Sequence, residues 1–129
     1  MTSLIFVYGT LKRTAGTNAH KLLGPAKLLG RGSVRGSLYD LGRYPGLVRE
    51  PSNGARVFGE LYEIPEDVAQ RTLRTLDAYE GGEFKRERLY VTLATGKRRI
   101  AWAYVLRRQP PKSARYLEHG RYAARRGAA

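Results

Sequence analysis

The sequence has 129 residues, a length that predicts a single domain with a hydrophobic core of its own. It contains no cysteine, which excludes a disulfide framework, a zinc–thiolate site and a cysteine nucleophile. The N-terminal residues lack the pattern of a signal peptide, and no apolar run reaches the length of a membrane span. We therefore expect a cytoplasmic protein with no membrane partner.

The formal net charge is +13, and most of it lies near the C-terminus, where residues 97–129 carry ten Lys or Arg and one Glu. Such a basic segment is typical of proteins that bind a phosphate-bearing partner. It is also typical of a solvated surface, since positive charge at strand edges discourages unwanted pairing. A nucleic acid is therefore kept as an alternative partner that the composition does not favour.

The first predicted element is a strand from Leu4 to Tyr8, whose uninterrupted apolar run is typical of burial on both faces. Gly9 and Thr10 follow it directly. The amides of Gly9, Thr10 and Leu11 are candidates for holding a carboxylate or carbonyl oxygen, because successive N–H groups in a turn bind anions. The alternative is a core strand that simply ends in a turn.

The next segment predicts a short helical turn over Asn18 to Leu23 and a strand over Ala26 to Tyr39. Gly36 interrupts that strand and indicates a bend or a close backbone approach. Pro45-Gly46 then indicates a turn. Tyr44, held extended before the proline, either lines a pocket or packs in the core.

The strongest helix prediction begins at Pro65, after a strand over Ala55 to Ile64, and runs through Ala78. Its apolar stripe is Ala69, Leu73 and Leu76, and the next position on that stripe is Glu80. If the helix continues, Glu80 points inward and desolvation raises its pKa toward neutrality, as general acid–base chemistry requires. If the helix ends by Asp77, Glu80 is an exposed loop charge.

Two further strands are predicted, from Arg88 to Ala94 and from Arg98 to Arg107, joined as a hairpin through Thr95-Gly96-Lys97. Alternation predicts that the apolar residues of the two strands form one corresponding inward set, namely Leu89, Val91, Leu93, Ile100, Trp102, Tyr104 and Leu106. Pro110-Pro111 ends the sheet. We expect a domain over residues 1–109 and a basic tail over 110–129 that docks in part and frays from Arg125.

Few kinds of catalytic chemistry are open to this chain. His20 and His119 have no metal-ligand spacing, so no metal site is predicted. The sequence has no GxSxG nucleophile elbow and no GxxxxGK[ST] or GxGxxG nucleotide loop, and we predict no cofactor. Glu80 and the amides after Tyr8 remain as the candidate reactive groups.

Four segments, in this order, resemble the gamma-glutamylcyclotransferase-like family, and in particular its short gamma-glutamylamine cyclotransferase branch: Val7 to Arg13, Tyr44 to Val48, Leu76 to Gly81 and Phe84 to Arg86. The resemblance implies an α+β fold, a small mixed β-barrel with flanking helices. It also implies that Tyr8 to Leu11 form the substrate-binding loop and that Glu80 is the acid–base residue.

The activity that the resemblance implies is release of 5-oxoproline from a gamma-glutamyl amine or peptide. The substrate's own α-amine attacks its γ-carbonyl, so no enzyme nucleophile or cofactor is needed. Two alternatives stay open. One is a basic protein that holds RNA or another polyanion through Arg98, Arg99, Arg107, Arg108 and the tail. The other is a family member that binds a different small ligand. No oligomeric state is predicted.

Overall fold

The structure, a computed structural model, describes residues 3–9, 18–49 and 54–122. The described residues form one α-helix and seven strands, and the strands contain half of these residues. The strands are β1 (Ser3–Val7), β2 (Lys27–Asp40), β3 (Pro45–Arg49), β4 (Arg56–Ile64), β5 (Phe84–Leu93), β6 (Arg98–Leu106) and β7 (Arg115–Tyr116); the helix is α1 (Ala69–Glu80), and two short 3-10 turns are Asn18–Leu23 and Glu66–Val68.

Five of the described strands close into a barrel in the order β2, β4, β1, β6, β5, with β5 returning to β2 at Gly32 and Ser33. β1 runs parallel to β6 and antiparallel to β4, so the sheet is mixed. β3 and β7 extend the sheet from the far end of β2. The expectation of an α+β fold built on a small mixed β-barrel is confirmed.

The core has two layers because β1 is buried on both faces. Phe6 points into the barrel, where it packs with Val34, Leu61 and other apolar side chains. Ile5 and Val7 point outward and pack beneath α1. A strand covered on both sides must be apolar at every position, which explains the uninterrupted run that the sequence shows there.

The helix α1 covers one outer face of the barrel with the predicted stripe. Ala69, Leu73 and Leu76 are buried, and the helix continues to Glu80 before Gly81 ends it. Gly81 adopts φ 78°, a left-handed conformation that favours glycine after a helix. Of the two predicted alternatives for this segment, the structure therefore has the longer helix.

The Pro45-Gly46 pair does not form the predicted turn. The turn lies before it, where the Leu41 amide donates to the Tyr44 carbonyl oxygen over 2.9 Å, and Pro45 opens β3. Proline is tolerated there because it is the first residue of a strand that pairs on one side only. Gly36 allows a close backbone approach, one of the two predicted alternatives, since a Cβ at that position would lie 2.8 Å from the Val48 carbonyl oxygen.

The predicted inward set of the β5–β6 hairpin is wrong. The register pairs Leu89 with Ala101 and Tyr90 with Ile100, so Leu89 and Val91 face the barrel interior with Ala101. The even-numbered residues of β6 lie on the opposite face, and Ile100 is exposed. Alternation correctly predicts which residues of one strand share a face. The register between the two strands then decides which face of β5 and which face of β6 lie on the same side of the sheet.

The segment after the hairpin lies against β2 and β4. β7 pairs with Tyr39 and Asp40, the Leu117 amide donates to the Leu38 carbonyl oxygen over 2.8 Å, and the Phe58 amide donates to the Gly120 carbonyl oxygen over 2.8 Å. The predicted fraying from Arg125 lies outside the described residues. Within the described ranges, no helix combines the length and apolar character of a membrane span.

Candidate active site

A narrow recess lies where the end of β1, the start of β3 and the end of α1 meet. Four of the six predicted site residues line it, namely Tyr8, Gly9, Tyr44 and Glu80, together with Phe6, Val7, Pro45 and Tyr104. It offers about 20 Å³ to the centre of a water molecule, roughly the space of one ordered water. Thr10 and Leu11 lie outside the described residues.

Glu80 is the carboxylate of this recess. The helical spacing that buries Leu73 and Leu76 also turns Glu80 toward the barrel, and its side chain is half-buried. Burial raises the pKa of Glu80 from 4.5 to about 7, because the charged form loses hydration. A carboxyl group with this pKa can both accept and release a proton near neutral pH.

Tyr8 is held in place by its hydroxyl group. The hydroxyl donates to the Tyr104 carbonyl oxygen over 2.8 Å and accepts from the Leu47 amide over 3.1 Å. Burial raises the pKa of Tyr8, and the charge of Glu80 raises it further. Tyr8 therefore joins β1 to β6 and β3 and presents its ring, with its hydroxyl already bonded, as a wall near the Glu80 carboxylate.

Gly9 is required by the packing of Pro45. A Cβ at position 9 would lie 2.9 Å from Cγ and 3.1 Å from Cδ of Pro45. The pyrrolidine ring has little freedom to move away. The glycine that follows β1 therefore allows β3 to approach the recess.

Tyr44 forms the outer wall of the recess. It is half-buried, its ring packs at 5.9 Å from the ring of Phe84, and its hydroxyl donates to the exposed carboxylate of Glu83. That hydrogen bond is the main reason why the pKa of Tyr44 is raised. Tyr44 thus both lines the pocket and packs, the two alternatives that the sequence left open.

Residues 5–124 match the model of a family described as "Gamma-glutamyl cyclotransferase, AIG2-like". The chain belongs to this family. The expectation of a gamma-glutamylcyclotransferase-like enzyme is thus confirmed at the level of the family.

Relatives of this cyclotransferase family cover most of the chain. Gamma-glutamylcyclotransferase family protein YtfP of Escherichia coli is 40% identical over 119 residues, which are 90% of this chain and 92% of that protein. Gamma-glutamylaminecyclotransferase of Bos taurus is 41% identical over 101 residues, 69% of this chain and 56% of the bovine protein. The crystal structure of an AIG2-like protein from Mus musculus superposes with a TM-score of 0.74 at 31% identity and covers 97% of both chains.

One side-chain network beside this recess was missed by sequence reasoning. Asp77 accepts hydrogen bonds from the Tyr104 hydroxyl over 2.7 Å and from Arg86 over 2.9 and 3.3 Å. Burial acts to raise the pKa of Asp77, but the hydrogen bonds from Arg86 and Tyr104 outweigh it and lower the pKa. The same bond to Asp77 adds to burial in raising the pKa of Tyr104.

This network ties the last turn of α1 to the sheet. Arg86 and Tyr104 face each other across the β5–β6 pair, and Asp77 lies three residues before Glu80 in the helix. The i, i+3 spacing of two carboxylates was visible in the sequence, but the partners of Asp77 depend on a strand register that the sequence did not give. Among the described residues, no three His, Asp or Glu side chains cluster as metal ligands would.

Proposed function

We propose that this protein converts a gamma-glutamyl amine or peptide into 5-oxoproline and the free amine, with Glu80 as the general acid–base. The observation that supports this most is the placement of Glu80, whose half-buried carboxyl group lines the same recess as Tyr8 and Gly9 and has its pKa raised to about 7 by burial. A proton carrier of this kind suits a reaction whose nucleophile is the substrate itself.

The reaction begins when the Glu80 carboxylate takes a proton from the α-ammonium group of the substrate. The free α-nitrogen attacks the γ-carbonyl carbon, a C–N bond forms, and a five-membered ring closes. Glu80 gives its proton to the leaving nitrogen, the original γ-C–N bond breaks and the carbonyl re-forms. A second proton leaves the ring nitrogen for solvent, and the released amine takes one up from solvent.

Ring closure is accelerated chiefly by holding the substrate folded. An intramolecular attack from a well-oriented conformer avoids several kcal/mol of the ordering cost that a free reaction carries, roughly 7–11 kcal/mol in the best cases. Tyr8, fixed by two hydrogen bonds, supplies a rigid wall against which the glutamyl chain can fold. The amides of Gly9, Thr10 and Leu11 are proposed to hold either the substrate carboxylate or the oxyanion that develops on the γ-oxygen.

The recess must widen to admit a glutamyl group, since it holds about one water as it stands. Tyr44 is the wall whose hydroxyl is tethered to an exposed side chain, Glu83. We therefore propose that Tyr44 moves on substrate entry, and that the amine leaving group passes beside it.

The test is to incubate the protein with a panel of gamma-glutamyl amino acids and gamma-glutamyl-lysine compounds and to measure 5-oxoproline by mass spectrometry. At least one member of the panel should give 5-oxoproline, and Glu80→Gln should lower its rate of formation about 10²- to 10⁴-fold. Glu118→Gln is the matched control, because Glu118 is exposed and does not line the recess, and it should leave the rate unchanged.

Two outcomes would overturn this proposal. The first is no 5-oxoproline from any compound of the panel, and the second is full activity in Glu80→Gln. If the panel fails, mass spectrometry of small molecules that co-purify with the protein would test the alternative that the recess binds a different ligand.

A further inference from the structure

A second surface of the barrel lies beyond the region that α1 covers. On the outer face of the β5–β6 hairpin, Arg88 pairs with Trp102 and Tyr90 pairs with Ile100 across the two strands. Tyr90 is 61% exposed and Ile100 is 53% exposed, so nothing in the described chain covers this cross-strand pair. Arg98 lies on the same face at the end of β6 and completes what we call the hairpin face: Arg88, Tyr90, Arg98, Ile100 and Trp102.

The arginines of the hairpin face stack on its aromatic rings. The guanidinium of Arg88 lies 4.7 Å from the centre of the Trp102 ring, and that of Arg98 lies 4.7 Å from the centre of the Tyr90 ring. Stacking fixes the plane of a guanidinium and leaves its N–H edge free for an anion.

Neither Arg88 nor Arg98 forms an ion pair with any described residue, whereas the neighbouring Arg86, also stacked on Trp102, is paired with Asp77. The hairpin face therefore presents two oriented cations without a counter-charge from residues 3–9, 18–49 or 54–122. Their natural partners are anionic oxygens, and a guanidinium matches the geometry of a phosphate group.

A shallow depression adjoins these side chains at the edge of Trp102. Its volume is about 380 Å³, and its lining includes Arg88, Arg99, Ile100 and Trp102 together with the first residues of β1. Its lining thus brings one tryptophan and two arginines to the same open space. No residue of the hairpin face lines the recess that holds Glu80.

We propose that the hairpin face binds single-stranded nucleic acid, with Arg88 and Arg98 on phosphates and with bases stacked on Tyr90 and at the edge of Trp102. The exposed ring of Tyr90 and the half-buried ring of Trp102 lie beside arginines, and single-strand recognition uses both features, because every base offers a π-face and every nucleotide carries a phosphate. The net charge of +13 would add long-range attraction for a polyanion to these local contacts.

The experiment uses the fluorescence of Trp102, the only tryptophan of the chain. Titration of the full chain with a short oligouridylate at low salt should quench this fluorescence. The logarithm of the dissociation constant should rise linearly with the logarithm of the salt concentration, because binding releases counter-ions. Absence of quenching and of any change in oligonucleotide anisotropy at low salt would overturn the proposal.

Variants separate specific binding from general attraction to a basic protein. Arg88→Ala and Arg98→Ala should each reduce the slope of the salt dependence by about 0.7, the value for one contact to a single strand. Arg74→Ala removes the same charge from the exposed side of α1 and should leave the slope nearly unchanged. Equal effects of all three variants would overturn the assignment to the hairpin face.

Tyr90→Ala tests whether bases are recognised. It leaves the charge unchanged and should weaken oligouridylate binding about tenfold through lost stacking, while binding of inorganic polyphosphate stays the same. Equal binding of both polyanions by the wild type and by Tyr90→Ala would identify a general polyanion surface and contradict the proposal. So would tighter binding of polyglutamate than of oligouridylate, which would point to an acidic protein partner. Circular dichroism of each variant checks that it is folded.

Discussion

The last turn of α1 carries two carboxylates that the structure treats in opposite ways. Asp77 accepts hydrogen bonds from Arg86 and Tyr104, and its pKa is lowered. Glu80, three residues later, forms no ion pair with any described residue, and burial raises its pKa to about 7. Both belong to one helical turn, yet the pKa of Asp77 is lowered and the pKa of Glu80 is raised to about 7.

One turn of helix thus carries one carboxylate that anchors the helix, Asp77, and another that is the proposed acid–base residue, Glu80. Asp77 uses its charge to fix the end of α1 against β5 and β6, and no residue in the described part of the chain places a cation beside Glu80. A cation beside Glu80 would lower its pKa and weaken it as a base. The proposed mechanism therefore requires that no cation lies beside Glu80, and the predictions below test how the two carboxylates differ.

The largest expected effect is on the pH dependence of activity. If ionised Glu80 is the base, kcat/KM should fall about tenfold for each pH unit below a pKa of about 7, and so about 100-fold between the plateau and pH 5. Initial rates of 5-oxoproline formation from pH 5 to 9 measure this. If kcat/KM instead stayed constant down to a midpoint near pH 4.5, Glu80 would have the pKa of a solvated glutamate.

The second effect is on the free energy of unfolding, which should fall as the pH rises. Because the folded state raises the pKa of Glu80, it holds the proton more tightly than the unfolded chain does, so stability falls as pH rises from about 4.5 to above 7. The change from 4.5 to about 7 corresponds to at most roughly 3 kcal/mol. Glu80→Gln should therefore be more stable than the wild type at pH 8 and little different at pH 4.

Urea unfolding at both pH values measures this difference in the free energy of unfolding. An equal free energy in the two proteins at pH 8 would mean that Glu80 is well solvated in the folded state. Asp77→Asn serves as the contrast, because loss of a carboxylate with a lowered pKa should reduce stability at pH 8 instead of raising it.

A smaller effect is expected from substitution of Gly9, which packs against Pro45 at the recess that Glu80 lines. Gly9→Ala places a Cβ 2.9 Å from the Pro45 ring and should lower the free energy of unfolding by about 1–3 kcal/mol. It should also open the recess and lower the pKa of Glu80 while Asp77 stays paired. Gly82→Ala is the control, since its added Cβ meets nothing within 4 Å, and the double variant Gly9→Ala, Pro45→Ala should regain stability.

The smallest effect is expected from substitution of Asp77, which fixes the end of α1 against the sheet. Asp77 is partly exposed, with 43% of its side chain accessible, so solvent screens its ion pair with Arg86. Asp77→Asn should lower the free energy of unfolding by only about 1 kcal/mol. It should lower kcat several-fold with little change in KM, because the helix end that carries Glu80 loosens. Arg86→Lys, which keeps the charge, should retain most of the activity, and a large rise in KM alone would contradict the anchoring role.

The sequence predicted the parts of the fold that depend on local periodicity. The apolar run before Gly9, the stripe of α1 and its extension to Glu80 follow from the spacing of residues along a strand or a helix. The closed barrel came from the family resemblance and is confirmed by the order of the strands. Four of the six predicted site residues lie around one recess, while their roles in catalysis stay predictions.

What the sequence could not give depends on pairing between distant segments. The register of the β5–β6 hairpin decides that Tyr104 meets Arg86 and that Ile100 faces outward, and no pattern within one strand contains that information. The local sequence predicts a turn at Pro45, but pairing with β2 places Pro45 at the start of β3. The Asp77 network was missed for the same reason, because its three members come from three elements.

The most direct test of the account is the titration of the Glu80 carboxyl carbon by nuclear magnetic resonance in protein labelled with ¹³C at glutamate, with its signal assigned by its absence in Glu80→Gln. The account predicts a midpoint near pH 7, the pKa that burial gives this group. A midpoint near 4.5 would show a solvated carboxylate and would contradict the assignment of Glu80 as the acid–base residue.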